Sequence, residues 1–163
     1  MSADLPQIIA IEREASVQTY PHASTNITEE SVRGWDWNYR QRRYQEALLD
    51  SPDGILLLAQ LGQEAIGFAA LFIKLDNCSH LKKLYVHPKH QGEGHGTLLL
   101  EHAEKSAIAH GALRMEVEVT DYNQGAIAFY ERAGHRLMNN PGPEYMPSID
   151  AHMTMLQYEK TLI

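Results

Sequence analysis

Six residues, Gln91-Gly92-Glu93-Gly94-His95-Gly96, have the types and spacing to do chemistry. They lie between a short apolar run, Leu84-Tyr85-Val86, and a helical pattern that begins at Thr97-Leu98-Leu99-Leu100. A strand passing through a glycine-rich turn into a helix N-terminus makes an anion pocket. The first amide N–H groups of the helix have no partner within it, and the aligned peptide dipoles add partial positive charge. Gly94 and Gly96 lack a Cβ, so a phosphate can approach the main chain closely. Two familiar phosphate loops fit this spacing poorly. Thr97 follows Gly96 without the lysine of a P-loop, and glycines at 92, 94 and 96 give G-x-G-x-G where a dinucleotide loop has G-x-G-x-x-G. What remains is the pattern Q-x-x-G-x-G.

The elements that must position this loop follow from periodicity. The helix after it puts Leu99, Leu100, Ala103 and Ala107 on one stripe, and Gly111 is a natural stop. Leu113 to Val119 alternates, with Leu113, Met115, Val117 and Val119 on one face and Arg114, Glu116 and Glu118 on the other. Asn123 to Ala133 reads as a helix, His135 to Met138 as a short strand, 139–149 as a Pro/Gly-rich loop and Ala151 to Leu162 as the last strand. Upstream, Leu5 to Ala15 reads as a first helix. A cap within Asn26–Glu30 opens a second helix running to about Leu49, with Gly34 as a point of interruption. Ser51-Pro52-Asp53-Gly54 is a stop. Ile55 to Gln60 and Ala65 to Lys74 form a hairpin about residues 61–64, and Leu81 to Val86 is the next strand. The order ααβββαβαββ predicts an α/β fold, a mixed sheet with helices on its faces, in one domain over 1–163.

Composition narrows the function classes. At 163 residues and 44% hydrophobic the chain suits one globular domain. It has no run of about 18 apolar residues, so no membrane span is expected. The start, Met-Ser-Ala-Asp-Leu-Pro, lacks the basic-then-apolar form of a signal peptide, and Cys78 is the single cysteine; both point to a cytoplasmic protein. A net charge of −7 disfavours nucleic acid and favours a cationic partner. His87, His90 and His95 match no zinc spacing, so no metal is expected.

A second motif lies about thirty residues beyond the glycine loop: Asn123-Gln124-Gly125-Ala126-Ile127-Ala128-Phe129-Tyr130-Glu131-Arg132-Ala133-Gly134. It is similar to the N-x-x-A-I-x-F-Y-E-K-x-G signature of the GNAT N-acetyltransferases, whose pyrophosphate loop the Q-x-x-G-x-G pattern also resembles. Leu84-Tyr85-Val86-His87-Pro88 looks like that family's fourth strand and Ile66-Gly67-Phe68 like its third.

The resemblance implies a mostly antiparallel sheet splayed between the fourth and fifth strands, with acetyl-CoA in the cleft. Main-chain groups of Leu84, Tyr85 and Val86 would bond the pantetheine arm, and amides of Gln91, Gly92, Glu93, Gly94, His95, Gly96 and Thr97 the pyrophosphate. Asn123 and Phe129 would also contact the cofactor. Arg132 would either reach the 3′-phosphate or stand as an exposed helix arginine. Tyr130 occupies the position of the family's proton donor, which protonates the departing thiolate. The base that deprotonates the amine is left open between His80, where many relatives carry Glu, and Glu118.

On the acceptor side, Trp35, Trp37, Tyr39 and Tyr44 crowd the second helix, with Trp37 and Tyr44 seven apart on one face. They would either pack that helix on the sheet or form an aromatic wall for a cationic amine. Tyr145 in the 139–149 loop would form the opposite lip. The family's first strand is expected to be missing or truncated, leaving a sheet edge that favours a homodimer. The implied activity is transfer of an acetyl group to a primary amine of a small molecule, polyamine-like or amino-acid-like, or of a peptide. The alternatives are a regulatory protein that binds acyl-CoA without turnover and an α/β protein that binds NAD or ATP.

Overall fold

Helix α1 (Leu5–Thr19) carries Pro6 in its first turn, where the missing N–H costs nothing, and buries Ile8, Ile9 and Ile11. The structure is a computed structural model that describes residues 4–163. The expected long second helix is in fact two, α2 (Glu29–Arg33) and α3 (Trp37–Tyr44), the latter continuing through a π turn over Gln45–Leu49. Two local features cut it. Gly34 ends α2, and the Asp36 side chain accepts a hydrogen bond from the Tyr39 amide at 2.8 Å, starting a new helix. Thr28 is the cap of α2, bonded reciprocally with Ser31.

The strands are β1 (Gly54–Leu61), β2 (Glu64–Ile73), β3 (Cys78–Val86), β4 (Arg114–Thr120), β5 (Arg136–Asn139), β6 (Glu144–Met146), β7 (Ala151–Met153) and β8 (Met155–Thr161). Helix α4 (His95–Ala109) joins β3 to β4, and α5 (Gln124–Arg132) follows β4. Six strands form one sheet in the order β1-β2-β3-β4-β8-β5, antiparallel at every junction except β3–β4. The predicted stripe Leu99, Leu100, Ala103 and Ala107 covers one face, over Ala69, Leu71, Leu81 and the inward residues of β4. Helices α1 and α3 cover the other face, over Phe68 and Ala70.

The expected single last strand breaks at Thr154, and the 139–149 loop contains β6. The cause is a competing apolar surface. Ala151 and Met153 bury against Ile27 and Val32, so β7 leaves the main sheet and pairs with β6. Leu113, expected on the buried face of β4, precedes the strand and is about half exposed. The expectation about the first strand falls partly on residues 1–3, outside the described residues. Among those described, β1 forms a sheet edge.

Two features of β3 build the site. Its parallel pairing with β4 covers only Cys78–Leu81 against Arg114–Val117, after which the strands part. Its register with β2 also slips between Ala70 and Leu71, leaving Lys82 as a bulge. A bulge resets the alternation of a strand. His80, Lys83 and Tyr85, the partners of Phe72, Ala70 and Phe68, therefore all face α1 and α3.

Candidate active site

Where β3 and β4 separate, a cleft of about 1080 Å³ runs through the sheet. The main chain of Leu84, Tyr85 and Val86 lines it without a strand partner on the β4 side. One end of the cleft is the N-terminus of α4. Gly94 is the cap residue at φ 86°, Gly92 lies at φ 80°, and no side chain caps the helix. A Cβ added at Gly92 or Gly94 meets nothing within 4 Å, so the turn before the helix N-terminus is open, as an anion site there would require. Gln91 Nε2 donates to the Val86 carbonyl at 3.1 Å, tying the loop to the end of β3.

The structure brings most of the expected cofactor residues together. Gln91, Gly92, Gly94, Gly96 and Thr97 line the cleft, as do Asn123, Phe129, Tyr130 and Arg132. Glu93 and His95 do not line it, and their side chains pair with each other at 3.1 Å. The Asn123 Oδ1 is already engaged as the cap of α5, accepting from the Ala126 amide, which leaves its N–H groups for a ligand. Gly94→Val is expected to weaken CoA binding by about tenfold or more, because a β-branched residue at positive φ carries on the order of 1–3 kcal/mol of strain. Calorimetric titration with CoA checks this, and unchanged affinity would mean the phosphate cradle lies elsewhere.

The middle of the cleft holds titratable groups from both faces of the sheet. Tyr130 enters from the α5 side. Burial pushes its phenol well above the ordinary value, so it stays protonated at neutral pH. Its ring packs edge-on against Phe129 and His135. His135 is a residue that the sequence did not single out. It is buried, and burial together with the Lys160 charge pushes its pKa down to about 4, so Tyr130 rests against a neutral ring. From the opposite face come His80 and Glu118, with His80 Nε2 3.9 Å from Glu118 Oε2. Lys82 Nζ is also 3.9 Å from that carboxylate. Burial, and then the Lys82 charge, lower the pKa of His80, so it is neutral and able to accept a proton. The two residues that the sequence offered as rival bases are thus one pair.

The acceptor wall differs from the expected one. Tyr44 is buried edge-on against Phe68, and Trp37 packs into the same core; neither lines the cleft. Tyr145 turns away, its hydroxyl donating to Asp150 Oδ1 at 2.6 Å, and Met146 and Ile149 form the lip in its place. The aromatic residues on the wall are Trp35, Tyr20, His22 and Tyr122. The last three had no sequence signal, because the turn after α1, which carries Tyr20 and His22, and the β4–α5 connection, which carries Tyr122, are brought together only by tertiary contact. Tyr122 Oη donates to the Tyr20 carbonyl, and its ring stacks on His22 at 4.4 Å.

A sheet parted at its one parallel junction, with an anion cradle at one end and acid–base groups in the gap, defines the acyl-CoA acyltransferase fold. The family profile "Acetyltransferase (GNAT) family" matches residues 18–135, and the chain belongs to that family. Over 102 residues it is 32% identical to an uncharacterised N-acetyltransferase of Mycobacterium tuberculosis, spanning 63% of this chain and 65% of that relative. It is 27% identical over 150 residues to the spermidine N(1)-acetyltransferase of Thermoplasma acidophilum, covering 88% of this chain and 89% of that protein. The crystal structure of the PaiA N-acetyltransferase of Thermoplasma acidophilum in complex with coenzyme A superposes with a TM-score of 0.74 at 26% identity, over 98% of this chain and 94% of that one. Among the described residues no helix is long and apolar enough to cross a membrane.

Proposed function

We propose that the protein is an acetyl-CoA-dependent N-acetyltransferase acting on a primary amine of a small molecule or peptide, by direct transfer with both substrates bound. One observation carries this reading: Tyr130 and the His80–Glu118 pair enter the same gap from opposite faces of the sheet. Acetyl-CoA supplies the thioester. The free main-chain groups of β3 and the amides of residues 91–97 orient it. The amine approaches from the α1–α3 face, where the His80–Glu118 pair takes up its proton, since an ammonium is not a nucleophile. Tyr130 gives its hydroxyl proton to the departing sulfur and regains one from the acylated nitrogen, so the two protons lost by the ammonium end on the His80–Glu118 pair and on the CoA thiol. The names of the relatives, one of them a spermidine acetyltransferase, support an amine acceptor.

Thiol release from acetyl-CoA over a panel of amines tests the reading. Tight CoA binding with no turnover on any amine would instead make the protein a CoA-binding regulator. The base is resolved by pH–rate profiles. Because the pKa of His80 is lowered, its neutral form fills as pH rises through a value below the ordinary 6.5, and kcat/KM should climb through that range and then level. His80→Gln is expected to lower kcat by about 10²-fold and remove this limb, whereas Glu118→Gln lowers the rate and keeps it. The reverse pattern would assign proton uptake to Glu118.

A further inference from the structure

The acceptor end of the cleft has a charge that a polyamine would not match. Although the chain carries −7, Glu118 is the sole carboxylate lining the cleft among the described residues, against Arg40, Lys82, Lys83 and Arg132. Lys82 stands beside Glu118, and Arg132 belongs to the α5 end. That leaves Arg40 and Lys83, which share one buried carboxylate, Glu12. Its Oε1 lies 3.0 Å from Lys83 Nζ and 3.8 Å from Arg40 Nη1. Two cations on one anion leave a surplus positive charge facing the cleft.

Arg40 is held unusually for an arginine at a cleft wall. Its guanidinium lies 4.5 Å over the Trp35 ring and 5.3 Å from that of Trp37, while its ion pair with Glu12 is long. The two indoles fix the plane of the fork without using its N–H donors, which is the preorganised state of a bidentate carboxylate receptor. It also means that the indoles expected to receive a cationic amine already carry a cation of the chain itself. Lys83 lies on the same face of β3 as His80, one same-face position further along because Lys82 is bulged out. Adjacent same-face positions on a strand stand roughly 7 Å apart. His80 and Lys83 thus stand as same-face neighbours, on the scale of a single small acceptor that could meet both.

Resting on the transferase reading above, we propose that the acceptor is an amino-acid-like zwitterion. Its carboxylate docks on Arg40 and Lys83, and its amine faces His80 and Glu118. The aromatic wall of Tyr20, His22, Trp35 and Tyr122 then receives its side chain.

The test pairs each α-amino acid with the amine left by its decarboxylation, methionine with 3-(methylthio)propylamine for example, and adds spermidine. Thiol release from acetyl-CoA gives kcat/KM for each. The preferred amino acid should exceed its decarboxylated partner by about 30-fold or more, the loss typical of removing one member of a buried charge pair. Arg40→Gln should collapse that ratio toward equality, and Arg40→Lys should keep part of it. A decarboxylated amine or spermidine that is used as well as any amino acid overturns the proposal, as does an Arg40→Gln variant that lowers both members of a pair equally. If no amine is turned over, calorimetric titration of amino acids into the CoA-saturated protein separates the two ideas. Arg40-dependent binding keeps the zwitterion site and rejects the transferase reading; no binding by any amino acid rejects the zwitterion site.

Discussion

Replacing Tyr130 with Phe is expected to lower kcat by at least about 10²-fold, the usual contribution of a positioned general acid, with CoA affinity unchanged. The substitution removes one hydroxyl and keeps the ring that packs against Phe129 and His135, so the cleft should hold its shape. Burial sets the form of the loss. It raises the pKa of the phenol, so the wild-type hydroxyl is protonated throughout the physiological range. The deficit of the variant should therefore be the same at every pH where the wild type works, and acidifying the medium should not recover it. Single-turnover thiol release measured from acid to mildly alkaline pH checks both statements. A kcat within about twofold of wild type would remove Tyr130 from the proton path and leave it a packing residue.

What the sequence revealed of this site, and what it hid, divides along local and non-local causes. The glycine turn was legible because its cause is local. Glycines at 92 and 94 take positive φ and the helix start at His95 lacks a side-chain cap, and both follow from residues adjacent in the chain. Tyr130 was legible for a similar reason, since its place on α5 is fixed by the cap at Asn123 and the stop at Gly134. The aromatic wall of the cleft was not legible. Trp37 and Tyr44 share a helix face as their spacing demanded, but which helix face meets the cleft depends on how α3 lies on β2 and β3. The break at Gly34–Asp36 turns Trp35 toward the cleft and Trp37 into the core. The pairing of His80 with Glu118 was hidden by the same logic. It requires the parallel register of β3 on β4, which no residue pattern within either strand announces. Nor does any periodicity reveal the bulge at Lys82, without which Lys83 would face the other side of the sheet.

Lys83→Met is expected to destabilise the fold by about 3–5 kcal/mol. Glu12, on α1, is 1% exposed, and Lys83 Nζ at 3.0 Å is its close cationic partner. Its second oxygen, Oε2, is buried without a hydrogen-bond partner. Removing the lysine strands an anion in a medium that solvates it poorly, with only the more distant Arg40 guanidinium to compensate. Burial alone would lower the pKa of Lys83, but the Glu12 charge, helped by the Tyr20 and Tyr44 hydroxyls, outweighs it and the pKa is raised. For a raised lysine the stabilisation is fully present below the unfolded value of 10.5 and is lost only as pH climbs past it. Lys83 therefore keeps its charge across the neutral range. Glu12→Gln combined with Lys83→Met removes both charges and should recover most of the loss, since a buried pair replaced as a unit is close to neutral. Denaturant unfolding of the two single variants and the double variant gives the coupling directly. A Lys83→Met loss below about 1 kcal/mol, the range of exposed pairs, would show that water reaches Glu12 in solution. The pair also bolts α1 to the bulged segment of β3, so the stability of the fold and the position of the aromatic cleft wall rest on the same contact.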